Sequence, residues 1–256
     1  MEEASLAEAL AQYEELGFAR LGQVVDEDAC RRMRERTDEI MLGGVAVPGL
    51  FFQRDTETGD YGDLEYGKGW QGPTLNYRKL EKLERDEVFR AHIELPLFGR
   101  IATRLLGQAV VIYRATLFNK AETGGTTLPW HQDGGRFWGL DRDPRLQIWT
   151  AIDDAPEDGG CLEIIPGTHR GGLATPLGGM IPADMVRARL ETETPVHLPA
   201  RAGEAILVHN HVWHGSAVNR SGKARRGLSV CYMEASTRCL RTKRAPRAFV
   251  RVFEGR

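Results

Sequence analysis

The sequence predicts an α+β chain whose first part is largely helical and whose second part is an antiparallel barrel or jelly roll. Helical hydrophobic spacing runs up to Gly107, and short β-branched or aromatic segments separated by turn residues follow it. No internal repeat, low-complexity tract or linker divides the two parts. One domain over residues 1–256 follows, with 1–107 mainly helices and lid loops and 108–256 the barrel core and a basic C-terminal tail.

In "SLAEALAQYEELGF", Leu6, Leu10, Tyr13 and Leu16 fall at helical spacing and Gly17 suits the stop. "FARLGQVV" reads as a strand. Asp26 can cap a second helix, "EDACRRMRERTDEIML", which Gly43 and Gly44 end. From Val45 to Tyr77, glycines, aspartates and aromatics without a period indicate long loops and short strands of the kind that cover a site. "KLEKLERDEVFRAHIELPLFGRIATRLLG" has helical character, broken near Pro96. The barrel strands are "AVVIYRATLFNK", "RLQIWTAIDD", "CLEIIPG", "TPVHLPA", "EAILVHNHVWHG" and "RRGLSVCYM".

Composition excludes several function classes. The net charge of −2 opposes bulk nucleic-acid binding, and no apolar run is long enough for a membrane span. The acidic start "MEEASLAEAL" lacks a signal-peptide pattern, so a soluble, cytoplasmic protein is expected. Cys30, Cys161, Cys231 and Cys239 form no C-x-x-C pair and read as free thiols in a reducing compartment. Arg238, Arg241, Lys243, Arg244, Arg247 and Arg251 cluster near the end, as a solvated tail or as a contact for an anionic substrate or partner subunit.

"LPWHQDGGRFWGLD" places His131 and Asp133 on one face of a strand. A third ligand would come from "LVHNHVWHGSAVN", which offers His209, His211 and His214. Two imidazoles and a carboxylate with open positions opposite describe the facial triad of non-haem ferrous oxygenases. In "RRGLSVCYM", Arg225, Gly227, Ser229 and Cys231 share one face, while Arg226, Leu228, Val230 and Tyr232 share the other, which should pack under the N-terminal helices. The small residues beside Arg225 leave space for a ligand, and its planar fork suits a buried carboxylate.

These segments resemble the phytanoyl-CoA dioxygenase family of Fe(II)- and 2-oxoglutarate-dependent oxygenases. The similar stretches are "HQD" at 131–133, "WTAIDDAPEDGGCLEIIPGTHR" at 149–170 and "HGSAVNRSGKARRG" at 214–227. The resemblance implies a double-stranded β-helix with the N-terminal helices packed on its major sheet. It implies iron(II) held by His131, Asp133 and His214, and a 2-oxoglutarate distal carboxylate held by Arg225, eleven residues after His214. It further implies 2-oxoglutarate contacts from Trp149, Ser216, Thr116 and Arg78. Oxidative decarboxylation by O₂ to succinate and CO₂ would then drive oxidation of a small organic substrate. Related halogenating enzymes carry a small residue in place of the carboxylate, so Asp133 implies hydroxylation or another oxidation. Phe137 and Trp138 with Trp70 are substrate-rim candidates, and Phe51, Phe52 and Tyr66 could join them in a lid. A metal-binding barrel without oxygenase activity, acting as zinc enzyme or sensor, and a protein hydroxylase are the competing readings. His169, in "PGTHR", is expected to bond backbone, and the prime substrate and oligomeric state stay open.

Overall fold

A computed structural model describes residues 1–122, 124–242 and 247–254. Helix α1 (Glu3–Leu16) buries Leu6, Ala9 and Tyr13 and ends at Gly17, which has a φ of 82°. A Cβ there would lie 2.6 Å from the His169 ring, so both the left-handed backbone and the close approach require glycine. After β1 (Phe18–Gln23), the Asp26 carboxylate accepts the Ala29 N–H at 2.8 Å and caps α2 (Glu27–Leu42). Then come β2 (Phe51–Arg54) and β3 (Tyr77–Glu81).

Here one expectation is corrected. The helical character assigned from Lys79 onward begins only with a 3-10 turn at Leu83–Arg85 and then α3 (Glu87–Ile93), because Lys79, Leu80 and Glu81 pair with Phe118, Leu117 and Thr116 of the next strand. Sheet pairing overrides the local preference of this short polar segment. Pro96 is the first residue of α4 (Pro96–Leu106), where its missing N–H costs nothing, so it starts the second helix.

The barrel follows as β4 (Ala109–Lys120), β5 (Leu128–Gln132), β6 (Leu146–Ala151), β7 (Leu162–Ile165) and β8 (Gly179–Met180). A short helix α5 (Ala183–Leu190) precedes β9 (Val196–Leu198), β10 (Glu204–Val208), β11 (Trp213–Ser216), β12 (Arg225–Glu234) and β13 (Val250–Glu254). The major sheet runs β1-β10-β6-β12-β4-β3-β2, with β13 also on β4, and the minor sheet runs β8-β5-β11-β7-β9. From β4 to β7 and again from β9 to β12, successive strands alternate between the two antiparallel sheets, which makes a jelly roll. The expected division at residue 107 is only approximate, since β1, β2 and β3 come from the N-terminal part and complete the major sheet.

Inward and outward faces of β12 separate as its alternation predicts. Leu228, Val230 and Tyr232 join Leu6, Met33, Phe89 and Phe98 of the helices in the main core. The opposite face turns into the barrel. Beneath the helices, His92 is buried with its Nε2 3.0 Å from the Thr150 hydroxyl, and burial pushes its pKa from 6.5 down to about 4. The unfolded chain therefore binds this proton first as pH falls. The contribution is fully present above pH 6.5 and is lost towards pH 4, at about 1.4 kcal/mol per pH unit. Replacing His92 with Leu should remove about 2 kcal/mol of the stability difference between pH 7 and pH 5, measured by urea unfolding at both values. An unaltered pH dependence would show that His92 does not titrate on unfolding.

Candidate metal centre and cosubstrate pocket

His131 on β5 and His214 on β11 stand directly opposite each other in the minor sheet, with ring centroids 4.0 Å apart. Each Nδ1 lies against the carbonyl two residues back, Pro129 at 2.8 Å and Val212 at 2.9 Å. A carbonyl can only accept, so each Nδ1 carries the proton and each Nε2 keeps a free lone pair. Asp133 follows β5 directly, its N–H bonded to the Asn210 carbonyl at 2.8 Å. Its Oδ2 sits 3.7 Å from His214 Nε2, and one ligand atom from each of the three residues lies within 4.8 Å of the others.

Electrostatics keep His131 and Asp133 in their metal-binding forms. Burial, with His214 alongside, pushes the His131 imidazole down to about 4, so it is neutral at physiological pH. Burial pushes the Asp133 carboxyl up, but His131, His214 and Arg114 outweigh it and hold the group below its ordinary value. Gln147 Nε2 donates to Asp133 Oδ2 at 2.7 Å, and the Ser229 hydroxyl donates to Gln147 Oε1 at 2.9 Å, which fixes the direction of the amide. This two-step support was not recognised in the sequence. The signal was there, because Gln147 shares a strand face with Trp149 and Ser229 shares one with Arg225. Gln147→Ala should weaken iron(II) binding about 10- to 100-fold, as loss of such outer partners does, in a metal-binding titration. Undiminished affinity would assign Gln147 to packing alone.

Two imidazoles and one carboxylate suit iron(II), and the triad opens on a cavity of about 510 Å³. Arg225, Trp149, Ser216 and Arg78 all line that cavity with the triad. Arg225 is 3% exposed, and its guanidinium donates to the Gly160 carbonyl and, at 3.5 Å, to that of Gly159. Among the described residues it has no ion-pair partner, and desolvation pulls its pKa down to about 10. Arg226 points the other way, bonding Asp153 at 2.7 Å and Asp38 at 2.8 Å. Trp149 packs on Gly227, where a Cβ would come within 2.5 Å of the ring. Arg78 is buried and donates to Gln53 Oε1 at 2.8 Å. Lys120, missed in the sequence, lies at the same end, its ammonium on the Thr126 carbonyl at 2.7 Å.

Several rim and pocket assignments change. Trp70 lies outside the cavity lining, because its indole N–H donates to the Met41 carbonyl at 3.0 Å and its ring covers Gly43. Trp138 lines the cavity from a buried position, stacked on Tyr113 at 4.3 Å, and so forms wall rather than rim. Phe137 lines the cavity and is 63% exposed. Phe51 and Tyr66 line the cavity, whereas Phe52 belongs to the main core. Thr116 pairs with Ser229 on the inner face of β4 but is not part of the cavity lining, and its buried hydroxyl has no partner among the described residues. His169 Nε2 donates to the Glu14 carbonyl at 3.1 Å, tying its turn to α1. His209 stacks near His169 and Tyr13, and His211 Nε2 sits 3.2 Å from Asp143 Oδ2, so both stand outside the triad. In the basic tail Arg238 pairs with Asp141 and Arg251 with Glu254, while Lys243 and Arg244 lie outside the described residues.

With this geometry established, comparison with known proteins decides the family. A phytanoyl-CoA dioxygenase (PhyH) family model matches residues 13–227. The chain belongs to that family. It is 30% identical over 265 residues to mouse phytanoyl-CoA dioxygenase domain-containing protein 1, covering 89% of each chain. It is 25% identical over 240 residues to rat peroxisomal phytanoyl-CoA dioxygenase, covering 90% of this chain and 69% of the relative. The structure of the epimerase SnoN in complex with Fe³⁺, alpha ketoglutarate and nogalamycin RO superposes with a TM-score of 0.74 at 17% identity. That match covers 95% of this chain and 89% of SnoN and shows the shared fold. No helix among the described residues is long and apolar enough to cross a membrane.

Proposed function

We propose that this family member is an iron(II)- and 2-oxoglutarate-dependent dioxygenase that hydroxylates, or otherwise oxidises, a small organic molecule. The observation that carries the reading is one cavity holding both the His131–Asp133–His214 triad and the buried cation Arg225, which has no ion-pair partner among the described residues. The first suits a ferrous ion, and the second suits the far carboxylate of a dicarboxylic oxoacid. Iron(II) bound there would couple decarboxylation of 2-oxoglutarate by O₂ to oxidation of the substrate, giving succinate and CO₂.

The chain's own residues supply position and protection. His131, Asp133 and His214 would hold the metal, and the cavity they line has room for a cosubstrate beside it. Gln147 and Ser229 keep Asp133 turned towards the two imidazoles. Arg225, with Lys120 and Arg78 nearby, orients 2-oxoglutarate by its far end, and the Trp149 ring bounds the space beside it. The Asp133 carboxylate occupies the position that halogenating relatives leave for chloride, which favours hydroxylation. Anaerobic titration with Fe(II) and 2-oxoglutarate should give the visible absorption of a chelated 2-oxo acid, and aerobic incubation should form succinate. Absence of binding at millimolar concentrations would reject the dioxygenase reading in favour of a barrel that binds another metal.

A further inference from the structure

Charge along the cavity is unbalanced in a way that iron and 2-oxoglutarate do not correct. Five basic side chains line it, Arg78, Lys79, Arg114, Lys120 and Arg225, against one lining carboxylate, Asp133, although burial beside Arg225 and Arg78 pulls the Lys120 ammonium down to about 7 and leaves it partly charged. A ferrous ion with a 2-oxoglutarate dianion adds no net charge. Behind the wall, the Glu81 carboxylate is shared by two of the cations, since its Oε1 accepts from Lys79 Nζ at 2.8 Å and Arg114 Nη1 at 2.9 Å. Asp55, near Arg78 and Lys120, is engaged by the Thr126 hydroxyl and N–H. Unneutralised positive charge in a partly desolvated cavity attracts an anionic ligand.

Strand register sets Arg225 with Lys120 apart from Arg114, and the shared Glu81 carboxylate ties Lys79 to Arg114. Lys120 stands opposite Arg225 at one end of β4 and β12. Arg114 stands opposite Cys231, which is itself opposite Gln147, the residue holding Asp133. Lys120 lies six positions beyond Arg114 on β4, roughly 20 Å of strand. A 2-oxoglutarate anchored on Arg225 therefore leaves Arg114 free. Arg114 is also preorganised: its guanidinium lies 4.9 Å from the Trp138 ring and 5.4 Å from the Tyr113 ring. It carries five N–H donors. Glu81 is its one side-chain hydrogen-bond partner among the described residues. Beside it, Trp138 and Phe137 offer aromatic surface for a substrate body.

We infer that Arg114, assisted by Lys79, binds an anionic oxygen group of the prime substrate, which is thus a small organic carboxylate or phosphate with an apolar or aromatic body. This rests on the dioxygenase reading for what happens to the substrate, but the anion site itself does not. The test is calorimetric binding to protein loaded anaerobically with Fe(II) and 2-oxoglutarate. The probes are 3-phenylpropanoate against 3-phenylpropanamide, and 2-phenylethyl phosphate against 2-phenylethanol. At least one anion should bind about tenfold or more tightly than its neutral counterpart, the scale of one charge-assisted contact. Whichever pair shows the preference names the anionic group. Arg114→Gln should abolish the preference while 2-oxoglutarate still binds, and Arg114→Lys should retain part of it. Equal binding of acid and neutral probe in the wild type, or a preference that survives Arg114→Gln in a folded protein, overturns the assignment. The titration is repeated on metal-free Arg225→Gln protein, where the preference should persist and should vanish in the Arg114→Gln/Arg225→Gln double variant. A preference shown by wild-type protein that binds neither Fe(II) nor 2-oxoglutarate would sink the dioxygenase reading alone. Loss of the preference beside intact 2-oxoglutarate binding would sink the anion site alone.

Discussion

Asp133→Ala is expected to abolish substrate-coupled succinate formation and to reduce iron(II) binding by more than the roughly 100-fold that loss of an outer partner costs. The reason is geometric as well as electrostatic. Asp133 is the only anionic member of the triad, and its carboxylate is aimed by Gln147 and flanked by His214. Without it, two imidazoles remain on a cavity lined by cations, and a dication is poorly held there. The fold should persist. Removing a buried carboxylate relieves its desolvation, while the Gln147 amide loses an acceptor worth about 1 kcal/mol, so the two effects oppose each other. Metal analysis, succinate assays and thermal unfolding on the same preparation check all three statements. Retained stoichiometric iron in the variant would remove Asp133 from the ligand set.

Arg225→Ala should raise the 2-oxoglutarate concentration needed for half-saturation at least about 30-fold, since truncating one partner of a buried charge pair costs about 2–5 kcal/mol. Arg225 is buried with only carbonyl partners, a position that gains an ionic partner when a carboxylate arrives. Its neighbour supplies the control. Arg226→Ala breaks bonds to Asp153 and Asp38 and should cost about 1.5–3 kcal/mol of stability, the range for hydrogen bonds to charged groups. It should leave the 2-oxoglutarate requirement alone. Adjacent arginines would thus give opposite phenotypes, one in cosubstrate binding and one in unfolding. If Arg226→Ala instead raised the requirement and Arg225→Ala did not, the anchor would be exchanged between them.

Much of the site was legible because strand parity is a strict rule. The two-residue spacing of His131 and Asp133, and the alternation from Arg225 to Tyr232, assign faces without any knowledge of neighbours. Helix α2 was equally readable from its Asp26 cap and its stop at Gly43. What failed were assignments that depend on where a loop travels. Trp70 looked like a rim residue from composition alone, yet its ring covers Gly43 and its N–H is used by the end of α2. Lys79 to Glu81 looked helical, yet an open edge of β4 claimed them.

The sequence by itself determined the class of chain, the His131–Asp133 pair and the anchor face of β12, because each is written in local spacing, while the choice of His214 came with the family resemblance. Tertiary structure decided the rest. It brought Gln147 and Ser229 to Asp133, set Lys120 opposite Arg225, and placed Arg114 on the same rung as Gln147. These relations arise between strands distant in the chain. Their register comes from burying one whole face of each strand, which no short window of sequence contains.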